Sequence, residues 1–182
     1  MDWIFVGDAH FAAGDRGRRE HLSRFIKKNL HTLHTLVIMG DFFDFWFGFR
    51  NLSSLKREYG DILDLLEDLR AAGVKVIYLE GNHDFSLGSY MSERLGIKVY
   101  DRSAEIELDG RRIYLAHGDR VLPTLDHWIL TLLLRNRVTY LLISLLGPRI
   151  VMDIARRWSA GSRGRNMERS PEVIARLKRF AR

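Results

Sequence analysis

The run Leu36-Val37-Ile38-Met39-Gly40-Asp41 decides the fold. Unbroken apolar residues leading to a glycine turn and then a carboxylate read as a strand buried on both faces, with a polar group at its carboxyl end. The same pattern recurs at Trp3-Ile4-Phe5-Val6-Gly7-Asp8, and again from Val74 to Leu79 with Glu80-Gly81-Asn82 behind it. Between these runs, residues 17–30 and 54–72 carry apolar side chains at helical spacing: Leu22, Phe25, Ile26 and Leu30, then Leu55, Tyr59, Ile62, Leu63, Leu66 and Leu69. Gly73 is placed to stop the second helix. Strand, helix, strand, helix, strand predicts right-handed crossovers and a largely parallel sheet of the α/β class. Further on, residues 104–109 and 111–116 flank Asp109-Gly110, which predicts a β-hairpin.

The 182 residues suit one domain with an insertion. A 46% hydrophobic and 29% charged composition excludes a disordered or collagen-like chain. There is no cysteine, so disulfides, thiolate metal sites and cysteine nucleophiles are out. The amino-terminal residues lack the basic region and long apolar run of a signal peptide, and the expectation is a protein that is not exported. The net charge of +6 is concentrated from Arg156 to Arg182, which favours a phosphate-bearing or membrane-surface partner. Aromatic residues are not interleaved with that basic stretch, so no nucleic-acid partner is expected.

In open α/β sheets, functional groups gather beyond the carboxyl ends of the strands. Asp8 and His10 follow the first strand here, Asp41 and Asp44 the second, Asn82, His83 and Asp84 the third, and His117 and Asp119 the hairpin. Oxygen from Asp and Asn with nitrogen from His is the donor set that paired hydrolytic metals need. Gly7, Gly40, Gly81 and Gly118 stand at the turns, where a side chain would obstruct close approach. A lone aspartate after a strand is usually a turn residue or helix cap. Four such elements in this order are not explained that way.

Gly7-Asp8-Ala9-His10, Gly40-Asp41-Phe42-Phe43-Asp44, Gly81-Asn82-His83-Asp84 and His117-Gly118-Asp119 together resemble the signature of the calcineurin-like metallophosphoesterases. The aromatic-rich form Gly40-Asp41-Phe42-Phe43-Asp44-Phe45-Trp46-Phe47-Gly48 more narrowly resembles the UDP-2,3-diacylglucosamine hydrolase family of lipid A biosynthesis. Those enzymes release UMP and leave 2,3-diacylglucosamine 1-phosphate. The resemblance implies a calcineurin-like α/β sandwich with a helical lid, and two divalent metal ions, usually manganese. Asp8 and His10 would hold the first ion, Asp41 would bridge, and Asn82 and His117 would hold the second. His83 would face the phosphate as hydrogen-bond donor or leaving-group acid, a position often held by arginine in the narrower family. Asn82 would also touch substrate. Ser162-Arg163-Gly164-Arg165-Asn166-Met167-Glu168-Arg169 resembles the family's Ser-x-x-x-Asn-x-x-Lys pattern, which makes Ser162, Asn166 and Arg169 substrate contacts, with Asp126 as a further one. The implied partner is a UDP-linked diacylated glucosamine lipid, met at the cytoplasmic face of the inner membrane.

The family's Gly-His-x-His motif does not occur before Arg182, so the expectation is an incomplete version of a longer protein. On this reading residues 1–120 are the metallophosphoesterase core and residues 121–160 a hydrophobic helical lid. Residues 161–182 are a basic return segment and helix leading to an absent core strand. The insertion is apolar around Trp128, Leu132, Leu141 and Leu145, but Arg135, Arg137 and Arg149 interrupt it. No span there reaches the roughly 18 to 20 apolar residues of a membrane crossing. Breaks are expected near Asn136 and Gly147-Pro148. Two other readings stay open: a soluble metallophosphodiesterase or phosphatase for nucleotide-like substrates, and a noncatalytic membrane-associated scaffold.

Overall fold

The computed structural model describes residues 2–49, 51–101, 103–118 and 136–163. Four parallel strands, β1 (Asp2–Val6), β2 (Leu33–Ile38), β3 (Lys75–Leu79) and β4 (Lys98–Tyr100), lie side by side in sequence order. Helices α1 (Arg16–Asn29) and α2 (Ser53–Ala71) connect the first three strands. A hairpin of β5 (Ser103–Leu108) and β6 (Arg111–Ala116) follows, and the last described element is α3 (Arg137–Arg163).

Strand alternation sorts the core into two layers. Ile4, Val6, Leu36, Ile38, Val76 and Tyr78 face the helices and pack with Ile26, Ile62 and Leu66. Trp3, Val37, Met39, Ile77 and Leu79 group instead with Ala104, Ile106 and Leu115 of the hairpin. The helices thus cover one face of the sheet and the hairpin covers part of the other.

β2 is buried as its sequence demands, but β1 is not buried on both faces. It has a neighbour on one side only among the described residues, and the hairpin groups with Trp3 but leaves Phe5 43% exposed. Sequence reading also overlooked β4 and the single π-helical turn at Tyr90–Arg94 before it. A three-residue strand is too short to show a period, and pairing with Ile77–Leu79 is what makes it a strand. α2 ends as expected, with Gly73 at φ +82 immediately past the cap. α3 begins after Asn136, whose side-chain oxygen accepts the Val138 N–H at 2.9 Å. It is interrupted at Gly147 (φ 75, ψ 166), where Pro148 follows.

Beyond the carboxyl ends of β1, β2 and β3, the backbone of one loop bonds to the next. His10 N–H donates to Asp41 O, Phe11 N–H to Phe42 O, Trp46 N–H to His83 O and Gly48 N–H to Ser86 O. Asp84, fully buried, collects the rest: its carboxylate accepts the N–H groups of Asp41 (2.9 Å), Phe42 (2.6 Å), Phe43 (3.3 Å) and Gly81 (2.9 Å), and the Tyr78 hydroxyl (2.6 Å). In Asp84→Asn an amide NH2 would face donors that now have an acceptor. The expected loss in chemical denaturation is about 3 kcal/mol or more, and a loss below about 1 kcal/mol would show that these bonds do not hold the loops.

Candidate metal centre

Asp8, His10 and Asp41 all adopt positive φ, at 50°, 44° and 51°. For residues other than glycine this is a strained region, tolerated where surrounding bonds over-determine the chain. The cross-loop bonds at His10 and Asp41 supply that restraint, and the strain turns successive side chains toward one place. Ligand-capable atoms of Asp8, His10 and Asp41 lie within 4.8 Å of one another, and so do those of His10, Asp44 and His83. His10 belongs to both groups.

Asp41 is central. Its Oδ1 accepts the His83 N–H at 2.9 Å, while Oδ2 lies 3.2 Å from His117 Nε2 and 3.6 Å from His10 Nε2. Two glycines permit this crowding. A Cβ on Gly81 would collide with the Asp41 carboxylate, and one on Gly40 (φ +87) would come within 2.6 Å of His117 Nδ1. Gly7 is tight against Met39, but Gly118 has open space and no such requirement.

Backbone carbonyls set the histidine tautomers. His117 Nδ1 is 2.8 Å from Met39 O, and His83 Nδ1 is 2.9 Å from Asp44 O. A carbonyl only accepts, so each Nδ1 carries a hydrogen and, in the neutral ring, each Nε2 presents a lone pair. His117 Nε2 lies 3.2 Å from Asp41 Oδ2: protonated it donates a charged hydrogen bond to the carboxylate, and neutral it turns a lone pair to the same place as that oxygen. The donor set of carboxylate oxygen and imidazole nitrogen suits divalent metal. Burial, the largest influence on His10, lowers its pKa against the opposing pull of Asp41, which favours the neutral ring a metal needs. Burial alone would raise the Asp41 carboxyl. The hydrogen bond and charge of His117, together with His83, outweigh it and hold Asp41 below the ordinary carboxylate value.

The structure therefore gathers Asp8, His10, Asp41, His83 and His117, with Asn82 half-buried on the His83 loop. Asp44, which the sequence reading gave no ligand role, joins His10 and His83. The signal available was its position three residues after Asp41 in a loop of otherwise aromatic residues. Asp84 stands in the same tetrapeptide as Asn82 and His83, yet its oxygens are spent on backbone donors and Tyr78. Asp119, Asp126, Asn166 and Arg169 lie outside the described residues, and Ser162 is described only as backbone near the end of α3.

The sequence profile of the calcineurin-like phosphoesterases matches residues 1–179. The chain belongs to that family. The phosphoesterase chain is 35% identical over 116 residues to the UDP-2,3-diacylglucosamine hydrolase of Ralstonia nicotianae, covering 64% of this chain and 42% of that protein. It is 29% identical over 170 residues to the enzyme of the same name from Porphyromonas gingivalis, covering 87% and 62%. With that of Proteus mirabilis it shares 27% over 175 residues, covering 96% and 72%. The chain spans about half the length of several curated relatives, at 42%, 51% and 48%. Members of this family use divalent metal ions, and the oxygen and nitrogen donors of Asp8, His10 and Asp41 fit one.

Asp41→Asn keeps the volume of the side chain but removes the charge at the centre of the cluster. Calorimetric titration with manganese chloride is expected to show at least about a hundredfold weaker binding, with the circular dichroism spectrum retained. Unchanged binding by the folded variant would take Asp41 out of the site.

Proposed function

We propose that this phosphoesterase hydrolyses the pyrophosphate of UDP-2,3-diacylglucosamine to UMP and 2,3-diacylglucosamine 1-phosphate. The convergence of Asp8, His10 and Asp41, with His117 Nε2 3.2 Å from the Asp41 carboxylate, is the observation that carries the hydrolytic part of this reading. Asp8 and His10 would hold one divalent ion and Asn82 and His117 a second, with Asp41 between them and manganese as the metal. Such ions lower the pKa of bound water and offset charge on phosphoryl oxygens. Asp41 keeps its ionised form through its histidine neighbours. His83, oriented by Asp44 O, presents Nε2. When protonated there, it donates a hydrogen bond to the phosphate or a proton to the leaving oxygen.

The lipid part rests on the relatives and on α3. That helix sends Val151 and Met152 into the core and sets Tyr140 against Phe47 at 5.0 Å, yet Leu141 and Leu145 are 59% and 73% exposed. Val138, Leu142 and Ile150 extend this uncovered apolar surface. On this reading residues 121–160 form the lid that shelters acyl chains and meets the cytoplasmic membrane surface. Asp126, Ser162, Asn166 and Arg169 would grip the polar part of the substrate, Arg169 offering a planar fork where relatives of this pattern have lysine. Among the described residues no helix is long and apolar enough to cross a membrane.

Replacing Leu141 and Leu145 with Asn removes apolar surface and leaves the metal cluster untouched. Burial of an acyl chain contributes on the order of 25 cal/mol per Å². The ratio of catalytic efficiencies for diacylated over deacylated UDP-glucosamine is therefore expected to fall at least about tenfold. An unchanged ratio, with bis-p-nitrophenyl phosphate still hydrolysed, would leave a phosphoesterase whose substrate is not this lipid.

A further inference from the structure

Arg19 is 2% exposed, although it lies on a short helix next to solvent-facing neighbours. A guanidinium held out of water is costly unless its donors are matched. The Arg19 donors are matched to a single segment and a single acid: Nη1 donates to Ala12 O, Nη1 and Nη2 lie 3.5 Å from Ala13 O, and Nε donates to Asp61 Oδ2 at 2.9 Å. Asp61 belongs to α2, so one side chain of α1 ties a second helix to the carbonyls of the loop after β1. Arg18 adds a bond to Ala9 O. The Asp15 carboxylate accepts the Ala12 N–H at 3.2 Å and pairs with Arg18 at 2.9 Å.

The segment so held is the arm that carries Asp8 and His10. Both residues stand at positive φ, so the arm has an intrinsic tendency to relax, and a relaxed arm would move both side chains at once. On its inner side the arm is fastened by His10 N–H to Asp41 O and Phe11 N–H to Phe42 O. On its outer side the fastening is Arg18, Arg19 and Asp15. Ala12 and Ala13 also wall a cavity of about 230 Å³ beside Asp44, Phe45, Glu58 and Tyr59, so their placement shapes the space next to the cluster.

We propose that Arg19 is a positioning residue: it clamps the Ala12–Ala13 carbonyls to α2 and thereby holds Asp8 and His10 in ligand-ready geometry. This rests on the metal-centre reading given above. Arginine is required for shape, since its fork reaches carbonyls and carboxylate together, which the single ammonium of lysine does not.

The test compares the wild-type chain with Arg19→Gln, Arg19→Lys and Asp61→Asn, by calorimetry with manganese chloride, amide hydrogen exchange of residues 8–15, and thermal melting. Arg19→Gln is expected to bind manganese at least about tenfold more weakly and to exchange faster over residues 8–15 than over residues 40–44. Arg19→Lys should recover part of both losses, and Asp61→Asn, whose side chain is 46% exposed, should show a smaller change of the same kind. Lower melting with unchanged metal affinity and unchanged exchange in the arm would mean that Arg19 is a packing residue only, and would overturn the proposal. If Arg19→Gln does not fold, the two milder variants are read by the same criteria. Should the wild-type chain bind no manganese, the metal-centre reading fails, and the proposal of Arg19 as a metal-site positioning residue falls with it. The exchange data would then report only whether Arg19 restrains the arm.

Discussion

The site depends on a carboxylate whose oxygens are taken up by the main chain. Asp84 sits in the bend after β3 and takes hydrogen bonds from backbone N–H groups on both sides of the gap between β2 and β3, and from the Tyr78 hydroxyl below. Burial, and then the charge of Asp41, push its carboxyl up to about 6, while Tyr78 and the amides of Gly81 and Phe42 pull it back. Five donors converge on its two oxygens, an environment that favours the acceptor form. Burial, and then the charge and hydrogen bond of Asp84, raise the Tyr78 phenol well above its usual value, so that group stays a donor. Without this acceptor the N–H groups of the Asp41 turn would be buried with no partner, and the left-handed backbone of Asp41 would lose its restraint.

With the loops fastened, the electrostatics follow from proximity. Asp41 is crowded by His117, His83 and His10, and backbone carbonyls decide which nitrogen of His117 and His83 bears hydrogen. Each ring is thus oriented by the main chain before any ligand arrives. Preorganisation of this kind avoids reorganising dipoles during the reaction, which is where much of the advantage of such sites arises. Carboxylate oxygen and imidazole nitrogen brought together around Asp41 form the donor set that links the geometry to a family that uses divalent metals.

The two sides of α3 have different physical status. Its inner residues join the core beside Phe47 and Ile143, while its outer leucines lie open to solvent, a state that monomeric soluble proteins keep small. Gly147 lets the helix change direction between the exposed stretch and the buried pair Val151 and Met152. The cluster and the apolar surface are thus carried by separate elements, so altering the leucines leaves the metal-capable side chains in place.

Most of the fold was legible because local signals agreed. Apolar runs ending in glycine and a polar residue specified β1 to β3 and the edge where the site forms, and the 3.6-residue spacing specified α1 and α2, since each depends only on near neighbours along the chain. Asp8, His10, Asp41, His83 and His117 were recognisable together by type and place, although their roles as ligands rest on resemblance. The tertiary structure alone decided that β1 is at an edge among the described residues with Phe5 exposed, because that depends on how far the hairpin reaches across the sheet. It alone separated Asp44, turned toward His10 and His83, from Asp84, sunk among backbone amides. Both are aspartates in similar loops, and no spacing distinguishes a carboxylate offered to a ligand from one that the main chain has already claimed. Arg19 shows the same limit, since a basic residue on an amphipathic helix reads as solvent-facing until the carbonyls and the acid that surround it are brought together by folding.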